Sequence, residues 1–302
     1  MRVFVGLDCG GSSTRVLAVA EDGTRLFQGS SGAANLVSTH PDKLRSHLRK
    51  AAEGCPTPNA VCGCFAGLID EEQRNQAVSL LREIFPTARL RAEPDYVAAL
   101  YASTPGTDVC VVAGTGSLVT SRVASEVVKS GGGGYLLGDE GSGFRLGCAA
   151  LRHYLADPAT ASPALRQAVE DAFHTAVESK IVSAVYQAPS PGGLIARIAK
   201  ALGPDLASGL PYASAILDAE LPPLAAVVRR HISLNHPNKT QMKICLAGGI
   251  WKLSKQISGR FHEFLKAEMP NIAFELVRIA RAPQEGAVEL AKEMTTETSV
   301  GN

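Results

Sequence analysis

Apolar positions in this chain follow two rhythms. Nearly continuous apolar runs at 3–7 and 109–113 read as buried strands that enter glycine-bearing turns, and β-rich runs at 14–19 and 117–122 read as their returning arms. An Asp22-Gly23 turn then predicts a third strand at 24–28. Other stretches carry apolar residues at helical spacing. One is 41–53, with Pro41 suited to a first turn, and another is 71–85, where Ala77, Leu80, Leu81 and Ile84 share a face. Asp70 and Gln73 form a capping box before the second. Strands at 60–65 and 89–92 and a helix at 94–103 complete the first half.

The second half repeats the order. Strands are expected at 108–113, 117–122 and 126–129, followed by a glycine run and a helix at about 142–155. A mostly helical insertion spans about 162–235. Strand 242–247, helix 251–266, strand 273–277 and helix 283–293 follow. Each half reads β-β-β-α-β-α-β-α, which predicts an α/β chain of two domains, 1–106 and 107–302, with the tail 295–302 fraying.

Each half opens on the same device. Gly114-Thr115-Gly116-Ser117 and Gly10-Gly11-Ser12-Ser13 are glycine turns with hydroxyls, about a hundred residues apart, roughly one small domain. Glycines let backbone approach a ligand, and converging N–H dipoles suit a phosphate. One such turn is an ordinary hairpin; two at matching positions point to a duplication that binds a nucleotide.

Composition narrows the partners. With 302 residues, 45% apolar and 20% charged, the chain is ordinary for a globular protein, and a net charge of +1 argues against nucleic acid or a membrane surface. Seven cysteines, an odd number scattered through strands and helices, suit a reducing cytosol better than a disulfide framework. Cys62 and Cys64 fall on one face of a strand and read as core thiols, and no zinc pattern is present. No signal peptide or transmembrane helix is expected.

Phosphoryl transfer needs a phosphate cradle, a metal, a base and exclusion of water. Asp8, ending the first strand beside the glycine turn, is placed either to hold Mg²⁺ through water or to cap the turn. Asp95 follows a strand and begins a helix, so it either faces a ligand at the carboxyl end of the sheet or sits at a helix N-terminus for its charge alone. Gly131, Gly132, Gly133 and Gly134 are costly to order, and close approach of a ligand would justify them. Asp139 and Glu140 either cap the next helix or bind sugar hydroxyls. Gly248 and Gly249 form a plain strand-to-helix turn or a bare backbone against a flat base.

Together Asp8-Cys9-Gly10-Gly11-Ser12, Ala34-Asn35, Pro94-Asp95, Ala113-Gly114-Thr115-Gly116-Ser117, Gly138-Asp139-Glu140-Gly141-Ser142 and Ala247-Gly248-Gly249-Ile250-Trp251-Lys252 resemble the actin-like ATPase and sugar-kinase superfamily. Within it the chain is similar to the N-acetylglucosamine kinase branch, grouped with the BadF/BcrA-type ATPases. The resemblance implies two ribonuclease-H-like domains whose cleft closes over ATP, Mg²⁺ and a small sugar, and a homodimer is open. Gly10, Gly11, Ser12, Gly114, Thr115 and Gly116 would hold the phosphates, and Asp8 the metal. Asp95 would take the proton of the sugar 6-hydroxyl. Asn35, Ser117, Gly131–Gly134 and Asp139 would line the sugar, and Gly248 and Gly249 the adenine.

One departure matters. The animal enzymes follow the loop asparagine with His-Trp, whereas Asn35 here precedes Leu36 and Val37. That leaves glucosamine, N-acetylmuramic acid or another hexose open beside N-acetylglucosamine. The zinc motif of the bacterial ROK sugar kinases is absent. A BadF-type activator would need a cluster-binding cysteine motif, but no cysteine stands in 130–143 and Cys148 is alone on a helix. A non-catalytic sugar sensor is the remaining rival.

Overall fold

A computed structural model of the chain describes residues 1–124 and 126–296. The first three strands, β1 (Val3–Cys9), β2 (Thr14–Ala20) and β3 (Arg25–Ser31), form an antiparallel meander. Helix α1 (Pro41–Ala51) leads to β4 (Ala60–Phe65), which lies parallel to β1; α2 (Glu71–Ile84) leads to β5 (Arg89–Pro94), parallel to β4, and α3 (Asp95–Tyr101) follows at once. Pro41 does open α1, and the Asp70–Gln73 capping box is formed. The order is β3-β2-β1-β4-β5. One face packs Val5, Leu7, Val61 and Phe65 against Leu44, Leu48 and Leu81 of α1 and α2.

The second sheet has the same plan. β6 (Val109–Ala113), β7 (Ser117–Val123) and β8 (Glu126–Gly131) form the meander. The short α4 (Gly134–Leu137) and α5 (Gly143–Ala156) come next. The insertion comprises α6 (Pro163–Phe173), α7 (Glu178–Gln187), α8 (Pro191–Ala196), a 3-10 turn (Arg197–Ala201), α9 (Leu202–Ala207) and α10 (Pro211–Asn235). It is helical as expected, and its Leu165, Ile181 and Leu221 are fully buried in one cluster with Val109 and Val111.

β9 (Gln241–Ala247), α11 (Ile250–Leu253), α12 (Lys255–Glu268) and β10 (Ala273–Arg278) complete the order β10-β9-β6-β7-β8. Each strand holds the place of its counterpart in the first sheet. The single helix expected at 251–266 is two, because Ser254 is extended (φ −157°, ψ 145°) and its side chain caps Gln256 N–H.

The last helix, α13 (Pro283–Thr296), packs on the first sheet. The compact units are Met1–Thr104 with the described part of Ile279–Asn302, and Pro105–Arg278. The expected second domain, 107–302, therefore differs from the compact unit by its final helix. The reason is close approach: a side chain at Gly6 would collide with the Gln284 carbonyl, and one at Gly286 with the Ala98 carbonyl. Two bare positions seat α13 against β1 and α3. Thr295 and Thr296 are helical rather than frayed, and 297–302 lie outside the described residues.

All seven cysteines are free thiols, and Cys62 and Cys64 are buried with their sulfurs 3.9 Å apart. Among the described residues no helix is long and apolar enough to cross a membrane.

Candidate active site

In the first unit, register places Asp8 of β1 across from Arg15 of β2 and beside Cys64 of β4. The Asp8 side chain is 16% exposed, with Oδ2 3.6 Å from an Arg15 guanidinium nitrogen. Burial first, and the Asp95 carboxylate second, push Asp8 up to about 6, while Arg15 pulls the other way. Cys9, Phe65 and Pro94 pair in one row across β1, β4 and β5, so Asp95, the residue after Pro94, starts α3 at the same sheet end as Asp8. The structure thus brings these two expected carboxylates together.

Their neighbour Glu93 is compensated by Arg91 at 2.8 Å and Arg74 at 3.3 Å. Among the described residues Asp8 has one ion pair, the longer contact to Arg15 at 3.6 Å. A carboxylate held up to about 6 by burial and a second carboxylate fits a divalent cation, whose charge would let both ionise. Mg²⁺ needs only one or two carboxylates beside phosphate and water oxygens. Among the described residues no group of three or more His, Cys, Asp and Glu could form an all-protein cage.

The first turn closes through Gly10 N–H to Ser13 O at 2.9 Å, leaving Gly11 and Ser12 exposed at its tip. Ala34 N–H donates to Gly10 O and Leu36 N–H to Ala66 O, both at 3.0 Å, so the Asn35 loop is stitched to the ends of β1 and β4. Asn35 Oδ1 accepts from Val37 and Ser38 N–H at 2.9 Å. Its carboxamide oxygen therefore shapes its own loop.

In the second unit, Gly114 N–H donates to Gly116 O at 2.8 Å and Thr115 is exposed. The first N–H groups of α5 are spent on this turn: Gly143 donates to Gly114 O at 2.8 Å and Phe144 to Thr115 O at 3.1 Å. Ser117 Oγ donates to Glu140 O at 2.6 Å. The carboxylate of Asp139, 7% exposed, accepts from the N–H groups of Ser117 and Gly134; burial still pushes its pKa up. A side chain at Gly116 would begin 2.5 Å from Asp139 Oδ2. Ser117 and Asp139 thus knot the turn to the glycine segment. Gly131, Gly132 and Gly134 have φ of 75°, 72° and 80°, a region that only glycine enters freely.

Gly248 (φ 105°) lies against the Ala113 carbonyl, where a side chain would collide, whereas Gly249 faces open space. The pair expected at a base divides into one packing glycine and one bare surface.

The chain matches no protein-family model. It is 21% identical to the N-acetylmuramic acid/N-acetylglucosamine kinase of Clostridium acetobutylicum, over 97% of this chain and 99% of that one. It is 27% identical to the N-acetyl-D-glucosamine kinase of Dictyostelium discoideum, over 61% of this chain and 64% of that one. The crystal structure of a proposed N-acetylglucosamine kinase from Chromobacterium violaceum matches with a TM-score of 0.71 at 25% identity, covering 96% of this chain and 99% of that one. Over nearly its whole length the chain is thus similar to amino-sugar kinases in sequence and in fold.

Two features escape sequence reasoning. Arg15 is the cation beside Asp8, and the hairpin itself carried the signal: pairing Cys9 with Thr14 sets Asp8 opposite Arg15. His231, fully buried in α10, bonds Ser121 and Ser130. No local pattern signals it, since its partners lie in distant strands.

Proposed function

We propose that the chain is an ATP-dependent amino-sugar kinase that phosphorylates the 6-hydroxyl of N-acetylglucosamine. The observation that supports this most is the Asp8–Asp95 pair at the carboxyl end of the first sheet. Asp95 accepts the proton of the 6-hydroxyl as that oxygen attacks the γ-phosphorus of ATP, and the bond to the ADP oxygen breaks. Asp8 holds Mg²⁺, directly or through water, and Arg15 keeps its carboxylate oriented. When bound, the ion neutralises charge on the β- and γ-phosphates.

The exposed Gly11 and Ser12 of the first turn and Thr115 of the second offer backbone N–H groups to the phosphates, the half-buried Gly10 and Gly114 hold their turns closed with their own N–H groups, and Gly116 lets Asp139 close the second turn. Gly249 offers its open backbone to the base, while Gly248 fixes the strand-to-helix angle. Asn35 and Gly131–Gly134 take the acceptor, and Ser117 and Asp139 support them by the knot described above.

The test is ADP production, coupled to NADH oxidation, with Mg·ATP and a panel of N-acetylglucosamine, glucosamine, N-acetylmuramic acid, N-acetylmannosamine and glucose. The expected result is a strong response to N-acetylglucosamine. A stronger response to another member moves the acceptor within the same chemistry. ADP release independent of sugar, or none, overturns the kinase reading.

A further inference from the structure

Helix α10 of the insertion backs the glycine segment along one face. Leu224, Val227 and His231 recur at spacings of three and four and share that face. A side chain at Gly141 would meet Leu224 at 2.9 Å, and one at Gly131 would meet Val227 at 3.4 Å. His231 makes the polar contacts: Nε2 lies 2.8 Å from Ser121 Oγ on β7 and Nδ1 lies 2.9 Å from Ser130 Oγ on β8. His236 Nε2 reaches the same Ser121 hydroxyl at 3.0 Å. Protons can order along this chain in either direction with both rings neutral.

One imidazole therefore ties the insertion to two adjacent strands, and one tie is at the residue immediately before Gly131. An apolar side chain would cover those strands with no desolvation penalty, so a fully buried histidine with both nitrogens bonded calls for another explanation. The glycine segment supplies one. Three of its residues sit at positive φ, in a sequence with little stiffness of its own, and its conformation must be held from outside.

We propose that His231 is a positioning residue that, through Ser130, sets the conformation of Gly131–Gly134 and thereby the affinity for the acceptor sugar. This rests on the reading of those glycines as the acceptor segment. The insertion is then part of the acceptor machinery rather than a surface addition.

The experiment compares the full-length wild type with His231→Phe, Ser130→Ala and Ser130→Thr. KM values for N-acetylglucosamine and for ATP are measured separately, with hydrogen exchange at amides 131–134. Loss of a buried hydrogen bond predicts a rise of about tenfold in KM for the sugar in His231→Phe and Ser130→Ala, with KM for ATP held within about twofold. Exchange at 131–134 accelerates in both variants. Ser130→Thr, which keeps the hydroxyl, restores wild-type values.

Should His231→Phe fail to fold, Ser130→Ala, which leaves the ring and its Ser121 bond in place, decides alone. Unchanged sugar KM and unchanged exchange in Ser130→Ala overturn the proposal, and so does an equal loss for both substrates. A wild type with no sugar-dependent ADP production shows instead that the acceptor reading has failed, and with it the acceptor half of the proposal. Exchange at 131–134 still supports or overturns the latch.

Discussion

Asp95 raises the pKa of Asp8, second only to the burial of Asp8 itself. The two carboxylates reach one sheet end by different routes, Asp8 on a strand inside the hairpin and Asp95 on the first turn of the helix after β5. Their mutual cost is the physical reason to expect a cation, and it makes the site testable by stability as well as by turnover.

Asp8 moves from 3.8 to about 6 on folding, so the folded state holds this proton more tightly. The stabilisation from that proton is complete below about 3.8 and is lost as pH rises through about 6. Above pH 7 the charged carboxylate then costs on the order of 2–3 kcal/mol. Asp8→Asn is expected to raise the thermal midpoint at pH 8, with a gap that closes toward pH 4, while Mg²⁺-dependent turnover is lost. Calorimetry across that range decides it, and equal midpoints at pH 8 would count against the strain assigned to Asp8.

The same shift sets the acid limb of activity. kcat/KM should rise with pH through about 6 as Asp8 ionises, and higher Mg²⁺ should move that limb to lower pH. A limb indifferent to Mg²⁺ would separate Asp8 from the metal.

Asp95→Asn keeps the shape and removes the base. Turnover should fall by about 10²–10⁴-fold with ATP affinity retained. Near-normal turnover would remove Asp95 from the role.

Gly116→Ala aims its methyl at Asp139 Oδ2, 2.5 Å away. We expect a loss of about 1–3 kcal/mol in stability from overpacking, together with a raised KM for ATP. The penalty should shrink when Asp139→Ala is already present, because the clash is gone. Additive losses in this double-mutant cycle would show that the two residues do not compete for space.

Gly248 and Gly249 should separate cleanly. Gly248→Ala puts a side chain at φ 105° into the Ala113 carbonyl and should destabilise the fold severely. Gly249→Ala meets nothing within 4 Å and should fold normally while raising KM for ATP. Normal ATP dependence in a folded Gly249→Ala would detach this turn from the nucleotide.

The order of strands and helices was legible because its signals are local. Alternation, glycine turns, Pro41 and the Asp70–Gln73 box act within a few residues, and the repeated meander followed from reading them twice. Asp8 and Asp95 stood out for the same reason, each marked by the turn or helix start beside it. What only tertiary structure decided involves partners far apart in the chain. Packing against Gly6 and Gly286 assigns α13 to the first unit. The carboxylate of Asp139 turns inward to the N–H groups of Ser117 and Gly134. The ring of His231 joins α10 to β7 and β8 across more than a hundred residues of sequence. Periodicity specifies which face of an element is buried, but the atom that face meets depends on how the elements close on one another, and no local pattern encodes that.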